Sequence, residues 1–323
     1  MTFTGIFVTL FSFAVLIFIG RWVIYSLVVI ARYFGFKEFV VAFFTVSIGA
    51  VIPEFFVGVT SALQGVPELS LGAVVGENLF LITVTIALAT FFSAQGLVVD
   101  SKTVRIGIIF TVLVAILPLL LILNGELSRM DGLFLLATFA FFVFWLFSKK
   151  ERFAKVYEEE TPELSRLTKK TAVKSMFIAV GGILAIVISV DLLLRELLVV
   201  SHEMGIPLAV VGIFFVAIGT ALPETYFAID LARKGNSWMV LGGIMGGIAM
   251  ASTLVLGVVA LIEPIILTKE TLSSMVLARM FLTIAAIMLL VFVTTGHTIT
   301  RKEGLALLAV YISFLLAEIL FVF

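Results

Sequence analysis

This chain has 323 residues, of which 62% are hydrophobic and only 13% charged, and its mean hydropathy is +1.27. Such a composition excludes a soluble globular protein, in which the apolar share is about 45–50%. The chain contains no cysteine, which excludes disulfides and thiolate metal sites. Its formal net charge of zero says little about partners, and we predict no nucleic-acid partner and no cofactor.

The apolar runs are long enough to cross a membrane as helices and fill nearly the whole chain, which excludes the short alternating strands of a β-barrel. We therefore predict an all-α, polytopic membrane protein. The first run is too long for a signal-peptide core and is interpreted as a retained span. In chain order, the ten predicted spans lie at 4–31, 38–63, 69–95, 104–123, 130–148, 174–201, 207–232, 237–262, 271–294 and 303–323.

The two halves of the chain look like diverged copies of one unit. The stretch 47–54 returns 170 residues later as 217–224, and the same offset aligns Gly72 with Gly242 and Gly76 with Gly246. Because each half has five spans, an odd number, the two copies must cross the membrane in opposite directions. We predict two inverted five-helix repeats, 1–148 and 174–323, joined by a linker at 149–173.

The distribution of basic residues predicts the orientation. With the N-terminus outside, most of the 21 lysines and arginines fall in cytoplasmic segments, and the external loops hold only Arg129 and Lys269. We therefore predict a cell-membrane protein with both termini external and the basic linker cytoplasmic. A monomer is expected.

Each repeat carries a glutamate directly after a proline within an apolar span, Glu54 in the first and Glu224 in the second. A charged side chain in the membrane is costly, so such residues usually face a polar cavity on an ion path. Proline removes a backbone donor, and we expect both helices to kink or break there and free carbonyl groups. Two carboxylates with added carbonyl and hydroxyl oxygens favour a hard cation such as calcium. The alternative is a pair of structural kinks with protonated, hydrogen-bonded glutamates.

The third span begins with glycines at four-residue spacing, followed by Glu77 and Asn78. Small residues at this spacing let helix backbones approach closely, so the glycines serve either packing alone or the site. Glu77 is either a third carboxylate of the site or an acid at the membrane boundary.

Several other charged residues have competing interpretations. Arg21 and Asp191 occupy equivalent places in the first and sixth spans, where an ion pair between them competes with pairing of Asp191 to Arg195. Asp230 is interpreted as a helix-end acid near Arg233. The two histidines, His202 and His297, fall at span ends and are expected to be interfacial.

With these motifs, the chain resembles the cation/calcium exchanger superfamily, and in particular prokaryotic members of the sodium/calcium exchanger type. The first signature of that family, Gly-Thr-Ser-Leu-Pro-Glu, is similar to residues 49–54 and 219–224. The resemblance implies that Glu54 and Glu224 are the central calcium ligands and that Thr220 supplies a nearby oxygen. It also implies that the first and sixth spans slide past a core of spans 2, 3, 7 and 8.

The chain departs from the family pattern at most of the polar sodium ligands. Ala50, Val51 and Ala221 stand where the family keeps hydroxyl groups, and the second signature has become 72–78 with Leu81 and 242–248 with Ala251. Glu77, in contrast, adds a carboxylate where the family has serine. Clustered carboxylates can exchange protons for a cation, so protons compete with sodium as the predicted counter-ion.

We predict a secondary antiporter that exports Ca²⁺ in exchange for Na⁺ or H⁺ by alternating access. The candidate cation ligands are Glu54, Glu224, Glu77, Thr220 and Asn78. A second hypothesis, based on the lost ligands, is a degenerate member that no longer transports and acts as a membrane sensor or scaffold. An intramembrane enzyme is disfavoured, because the sequence has no zinc-protease histidine pair and no paired catalytic aspartates in adjacent helices.

Overall fold

The structure is a computed structural model that describes residues 3–34, 46–99, 102–148 and 169–321. These residues form ten helices, which we number in chain order: α1 Phe3–Tyr33, α2 Val46–Leu63, α3 Glu68–Phe92, α4 Lys102–Leu121, α5 Arg129–Ser148, α6 Lys169–Met204, α7 Leu208–Arg233, α8 Ser237–Ile262, α9 Lys269–Thr295 and α10 Arg301–Phe321. Eight of the helices in the described part of the chain are long and apolar enough to span a bilayer. The predicted all-α polytopic membrane fold is confirmed.

The helix bounds differ from the predicted spans mainly around the linker. α6 begins at Lys169 and runs for 36 residues, so its first turns occupy the end of the segment predicted as linker. The rest of that segment, 149–168, and the first part of the predicted second span, 38–45, lie outside the described residues.

Two short antiparallel strand pairs tie connections of the two repeats together. β1, Leu97–Val98, follows α3 and pairs with β4, Thr298–Ile299, between α9 and α10. β2, Glu126–Leu127, follows α4 and pairs with β3, Ile265–Ile266, between α8 and α9. Because α4 connects β1 to β2, the pairs lie at opposite ends of the bundle. The α3–α4 connection and its repeat equivalent, α8–α9, are therefore at opposite ends, as an inverted repeat requires.

The two signature prolines lie inside continuous helices, Pro53 in α2 and Pro223 in α7, so of the predicted kink or break at each position the break is wrong. Packing of neighbouring helices and local adjustments of helix geometry can accommodate a proline within a membrane helix. The irregular turns are instead three π-helical segments, in α3 (Leu81–Thr85), α7 (Gly212–Val216) and α8 (Ala251–Val255). The α3 and α8 segments are related by the repeat offset.

The buried side chains form two separate apolar clusters. The larger cluster joins α2–α5 to α7–α10, with members such as Leu79, Ile213 and Ile248. The smaller cluster joins α1 and α6 to the neighbouring helices, through residues such as Leu16 and Val190. The helices thus form a main bundle and a two-helix layer, α1 with α6, that packs on one side of it.

Candidate functional site

Glu54 and Glu77 meet in the interior of the main bundle. Their side chains are 2% and 3% exposed, and they lie close enough to interact directly. The hydroxyl of Thr220 lies 3.1 Å from Glu77 Oε2. α2, α3 and α7 each therefore contribute one of these predicted site residues to a single buried location.

Glu224 approaches this location from α7 and lies against Gly247 of α8. A Cβ atom placed on Gly247 would lie 2.8 Å from Glu224 Oε1 and 3.1 Å from Oε2. Gly247 is the repeat equivalent of Glu77. The second repeat therefore has space for the Glu224 carboxyl group at the position where the first repeat has the Glu77 side chain. Glu224 interacts electrostatically with both Glu54 and Glu77.

Asn78 links α3 to α8. Its side-chain amide nitrogen donates to Ser252 Oγ at 2.8 Å, and its Oδ1 atom is buried without a hydrogen-bond partner. Both oxygens of Glu54 and one of Glu224, Oε2, are also buried and unpartnered. Buried polar atoms are almost always satisfied in proteins, so these orphan oxygens indicate a place for a polar occupant.

The acidic side chains do not form a closed ligand shell in this conformation. Among the residues that the structure describes, no three acidic or histidine side chains are close enough to hold a metal ion together. Glu54 and Glu77 interact with each other, and Glu224 lies against Gly247. A cation bound by all three carboxylates requires these side chains to come closer together than they are here.

Glycines set the close approach of α3 and α7 beside the site. A Cβ atom on Gly72 would overlap the backbone of Ala209, and one on Gly76 would lie 2.8 Å from the Cβ of Ala217. In the second repeat, Gly242 and Gly243 have no atom near the corresponding position. The packing interpretation of the glycine spacing therefore holds for Gly72 and Gly76 of α3, whereas Gly242 of α8 makes no such contact.

Hydroxyl groups beside the site bond mainly to the backbone. Thr83 and its repeat equivalent Thr253 each donate to the carbonyl four residues earlier, within the α3 and α8 π-helical segments. Thr225 likewise donates to the carbonyl of Ala221, and its hydroxyl oxygen also lies 2.6 Å from that of Thr85, which connects α3 to α7. The sequence did not single out Thr225 or Gly247 as site residues, although the 170-residue offset was a usable signal for Gly247.

The peripheral charged residues are paired differently from some of the predictions. Asp191 binds Arg195 at 2.9 Å and accepts from Gln64 at 2.9 Å, while the side chain of Arg21 lies outside the described ones. Asp230 pairs with Lys234 at 2.7 Å and not with Arg233. Both ion pairs join residues four apart on one helix, a spacing at which side chains of opposite charge are neighbours.

Arg233 instead lies over the ring of Phe92, 4.5 Å from its centroid. The histidines are at helix ends, as predicted. His202 is exposed in the last turn of α6, and His297 follows α9, with its Nε2 atom 3.1 Å from Arg105.

This fold and site define a membrane transporter with an acidic site at the junction of two inverted repeats. A family model described as "Sodium/calcium exchanger protein" matches residues 4–148 and 174–320. The chain therefore belongs to the sodium/calcium exchanger protein family, whose members are transporters and not enzymes.

Relatives agree with this assignment. The inner membrane protein YrbG of Escherichia coli K12 is 28% identical over 247 residues, which cover 75% of this chain and 74% of YrbG. A solved structure of the H⁺/Ca²⁺ exchanger CAX has a TM-score of 0.76 at 19% identity, covering 97% of this chain and 82% of that one. The sodium-calcium exchanger NCX_Mj has a TM-score of 0.62 at 22% identity, covering 97% of each chain. At these identities the two structures show a shared fold.

Proposed function

We propose that this protein is a cation antiporter that moves calcium out of the cell in exchange for protons or sodium. The observation that carries the proposal is the buried pair of Glu54 and Glu77 beside the Thr220 hydroxyl. Acidic side chains at this depth are costly, and in membrane proteins they mark ion paths. The chain's family and the exchanger activities named for its relatives agree with this function.

The chemistry of the donors favours calcium. Calcium takes about six to eight oxygen ligands, including carboxylates, amide and backbone carbonyls and water. Glu54, Glu77 and Glu224 supply carboxylates, Thr220 a hydroxyl and Asn78 the unpartnered Oδ1. Pro223 has no amide hydrogen, so the carbonyl of Gly219, four residues earlier, lacks its usual partner in the helix. In this proposal Glu224 leaves the space over Gly247 to complete the shell.

Protons are favoured over sodium as the counter-ion. Leu81, Ala221 and Ala251 are buried apolar side chains where the family resemblance implies polar sodium ligands. Three neighbouring carboxyl groups cannot all stay negatively charged in a buried site without a cation or protons. Calcium then binds as the carboxyl groups release protons, and proton uptake on the other side of the membrane restores the empty site.

A non-transporting sensor or scaffold remains the second candidate. The observation that favours it is the absence of a three-ligand metal cluster among the described residues, together with the lost sodium ligands. Such a protein would show no flux of any cation.

The test is calcium flux in proteoliposomes with an imposed proton or sodium gradient. We expect gradient-driven flux in the wild type and a loss of about a hundredfold or more in Glu54→Gln and Glu224→Gln, because each removes a charge that pairs with the bound cation. The matched control is Glu263→Gln, which changes an exposed acid after α8 and should retain full flux.

Full flux in both site variants would contradict the site. An absence of flux in the wild type with every tested cation and gradient would favour the sensor or scaffold. Flux driven by sodium and not by protons would overturn the preference for proton coupling while leaving the antiporter proposal intact.

A further inference from the structure

α1 crosses both signature helices on the side of the main bundle that carries the α1–α6 layer. A Cβ atom on Gly20 would lie 3.7 Å from the side chain of Pro53 in α2. Seven residues earlier, the ring of Phe13 lies directly on Gly219 of α7. The same helix packs against α6, where Gly182 makes room for Ile19 and Val23.

The contact between Phe13 and Gly219 explains why position 219 is a glycine. A Cβ atom there would overlap the edge of the Phe13 ring and would lie 3.0 Å from its Cζ atom. Gly219 lies within the regular helical part of α7 and has no positive φ, so its backbone conformation does not require glycine. Glycine is required there because the aromatic ring occupies the place of a Cβ atom.

The ring lies next to the proposed cation site. Gly219 precedes Thr220, whose hydroxyl contacts Glu77, and its carbonyl is the one left without a partner by Pro223. Gly219 is five residues before Glu224, which is about 7–8 Å along a helix. The contact of the ring with α7 is therefore at a level of the membrane between Glu224 and the face at which α1 and α7 begin.

We propose that Phe13 is the gating side chain on this face of the membrane and that Gly219 is the notch that receives its ring. With the ring seated, the path from this face to Thr220 and Glu224 is closed. Withdrawal of α1 from α7 lifts the ring and admits the cation. This inference rests on the proposed transport function and adds the residue that controls access to its site.

The gate belongs to one face only. The repeat equivalent of Phe13 is Ile183 in α6, a smaller aliphatic side chain, and both residues pack against the smaller apolar cluster. Removing the Phe13 ring should therefore change access from the face at which α1 begins and leave access from the other face unchanged.

The first experiment is a double-mutant rescue in the full-length protein, measured as calcium flux in proteoliposomes. Gly219→Ala should lower flux by at least about tenfold, because its methyl group collides with the seated ring. Phe13→Ala in the same chain should remove the collision and restore flux to the level of Phe13→Ala alone. Thermal melting checks that both variants are folded. If they are folded and the second substitution does not restore flux, the proposed role of Gly219 in receiving the Phe13 ring is contradicted.

The second experiment measures access directly. The chain has no cysteine, so Thr220→Cys provides a single thiol at the site. A membrane-impermeant thiol reagent applied at the face where α1 begins should label this thiol about tenfold faster after Phe13→Ala, since the ring no longer fills the notch. Labelling from the other face should not change.

Equal acceleration from both faces, or none from either, would overturn the gate. This labelling does not depend on transport. A wild type without calcium flux would refute the proposed function. If the wild type transports calcium but Phe13→Ala does not change the labelling of Thr220→Cys, only the gate is refuted.

Discussion

Glu77 differs from its repeat equivalent Gly247, and this difference sets the shape of the site. The Glu77 carboxyl group is placed beside Glu54, while the missing side chain at 247 leaves space that Glu224 occupies. Two signature glutamates related by the repeat therefore have different surroundings. The site is asymmetric although the sequence motif that generates it is duplicated.

Replacing Glu77 should change how calcium binding depends on pH. Calcium binds the deprotonated carboxylates, so its apparent affinity should rise with pH. Glu77→Gln removes one group for which protons compete, and the number of protons released per bound calcium should fall by about one. Calorimetry in two buffers of different ionisation enthalpy measures this number.

The control for this comparison is Glu126→Gln. Glu126 is an exposed acid in β2, at one end of the bundle and outside the proposed site. It should release the same number of protons as the wild type. An unchanged number in Glu77→Gln would show that Glu77 keeps one protonation state whether or not calcium is bound.

Glu318 of α10 is a further buried acid, outside the proposed site. It is fully buried, and neither carboxyl oxygen has a hydrogen-bond partner. Replacing it with methionine removes a buried polar group of similar size and should raise the free energy of unfolding by about 1–3 kcal/mol. Thermal unfolding in detergent checks this, with the exposed Glu263→Met as control. A destabilised Glu318→Met would mean that a water or ion satisfies the carboxyl group.

At the scale of the helices, the two repeats use the same glycine motif for different purposes. Gly72 and Gly76 bring α3 against α7, and Gly212 in the π-helical segment of α7 packs on the backbone of α3 in return. The equivalent of Gly72 in α8, Gly242, makes no such contact and faces open space. Close packing of α3 on α7 positions Glu77 within reach of Thr220.

Gly72→Ala and Gly242→Ala therefore form a matched pair of substitutions. The first methyl group meets the Ala209 backbone, which cannot move independently of α7, and should destabilise the protein by about 2 kcal/mol or more. The second meets nothing and should be neutral or stabilising by up to about 1 kcal/mol through helix propensity. Unfolding temperatures of both variants test this, and equal effects would contradict the asymmetric packing.

At the scale of the whole molecule, the strand pairs and the odd helix number per repeat fix which connections share a membrane face. They do not by themselves say which face is cytoplasmic. The distribution of lysine and arginine favours a cytoplasmic face that holds the β1–β4 pair and the basic linker. The α2–α3 connection is then outside, and its repeat equivalent, α7–α8, is inside.

Single cysteines can test this orientation because the natural chain has none. Gln64 and Lys234 are exposed residues at equivalent positions of these two connections. In intact cells an impermeant thiol reagent should label Gln64→Cys, and Lys234→Cys should react only after the membrane is opened. Labelling of both in intact cells would contradict the inverted arrangement, and the reverse pattern would invert the orientation.

The sequence by itself determined the membrane-spanning helices, the duplication and the position of the two Pro-Glu motifs. These depend on the cost of placing each segment or charge in a bilayer, which is a local property of the chain. The sequence also indicated Glu77, but it could not decide whether Glu77 is a residue of the site or an acid at the membrane boundary.

Only the tertiary structure decided which of these residues meet. The pairing of Glu54 with Glu77, the place of Glu224 over Gly247 and the contact of Phe13 with Gly219 join helices far apart in the chain. Pro53 and Pro223 lie in continuous helices, so of the predicted kink or break at each position the break is wrong. Equivalent positions of a duplicated sequence are packed by different neighbours, and those neighbours are set by the whole bundle.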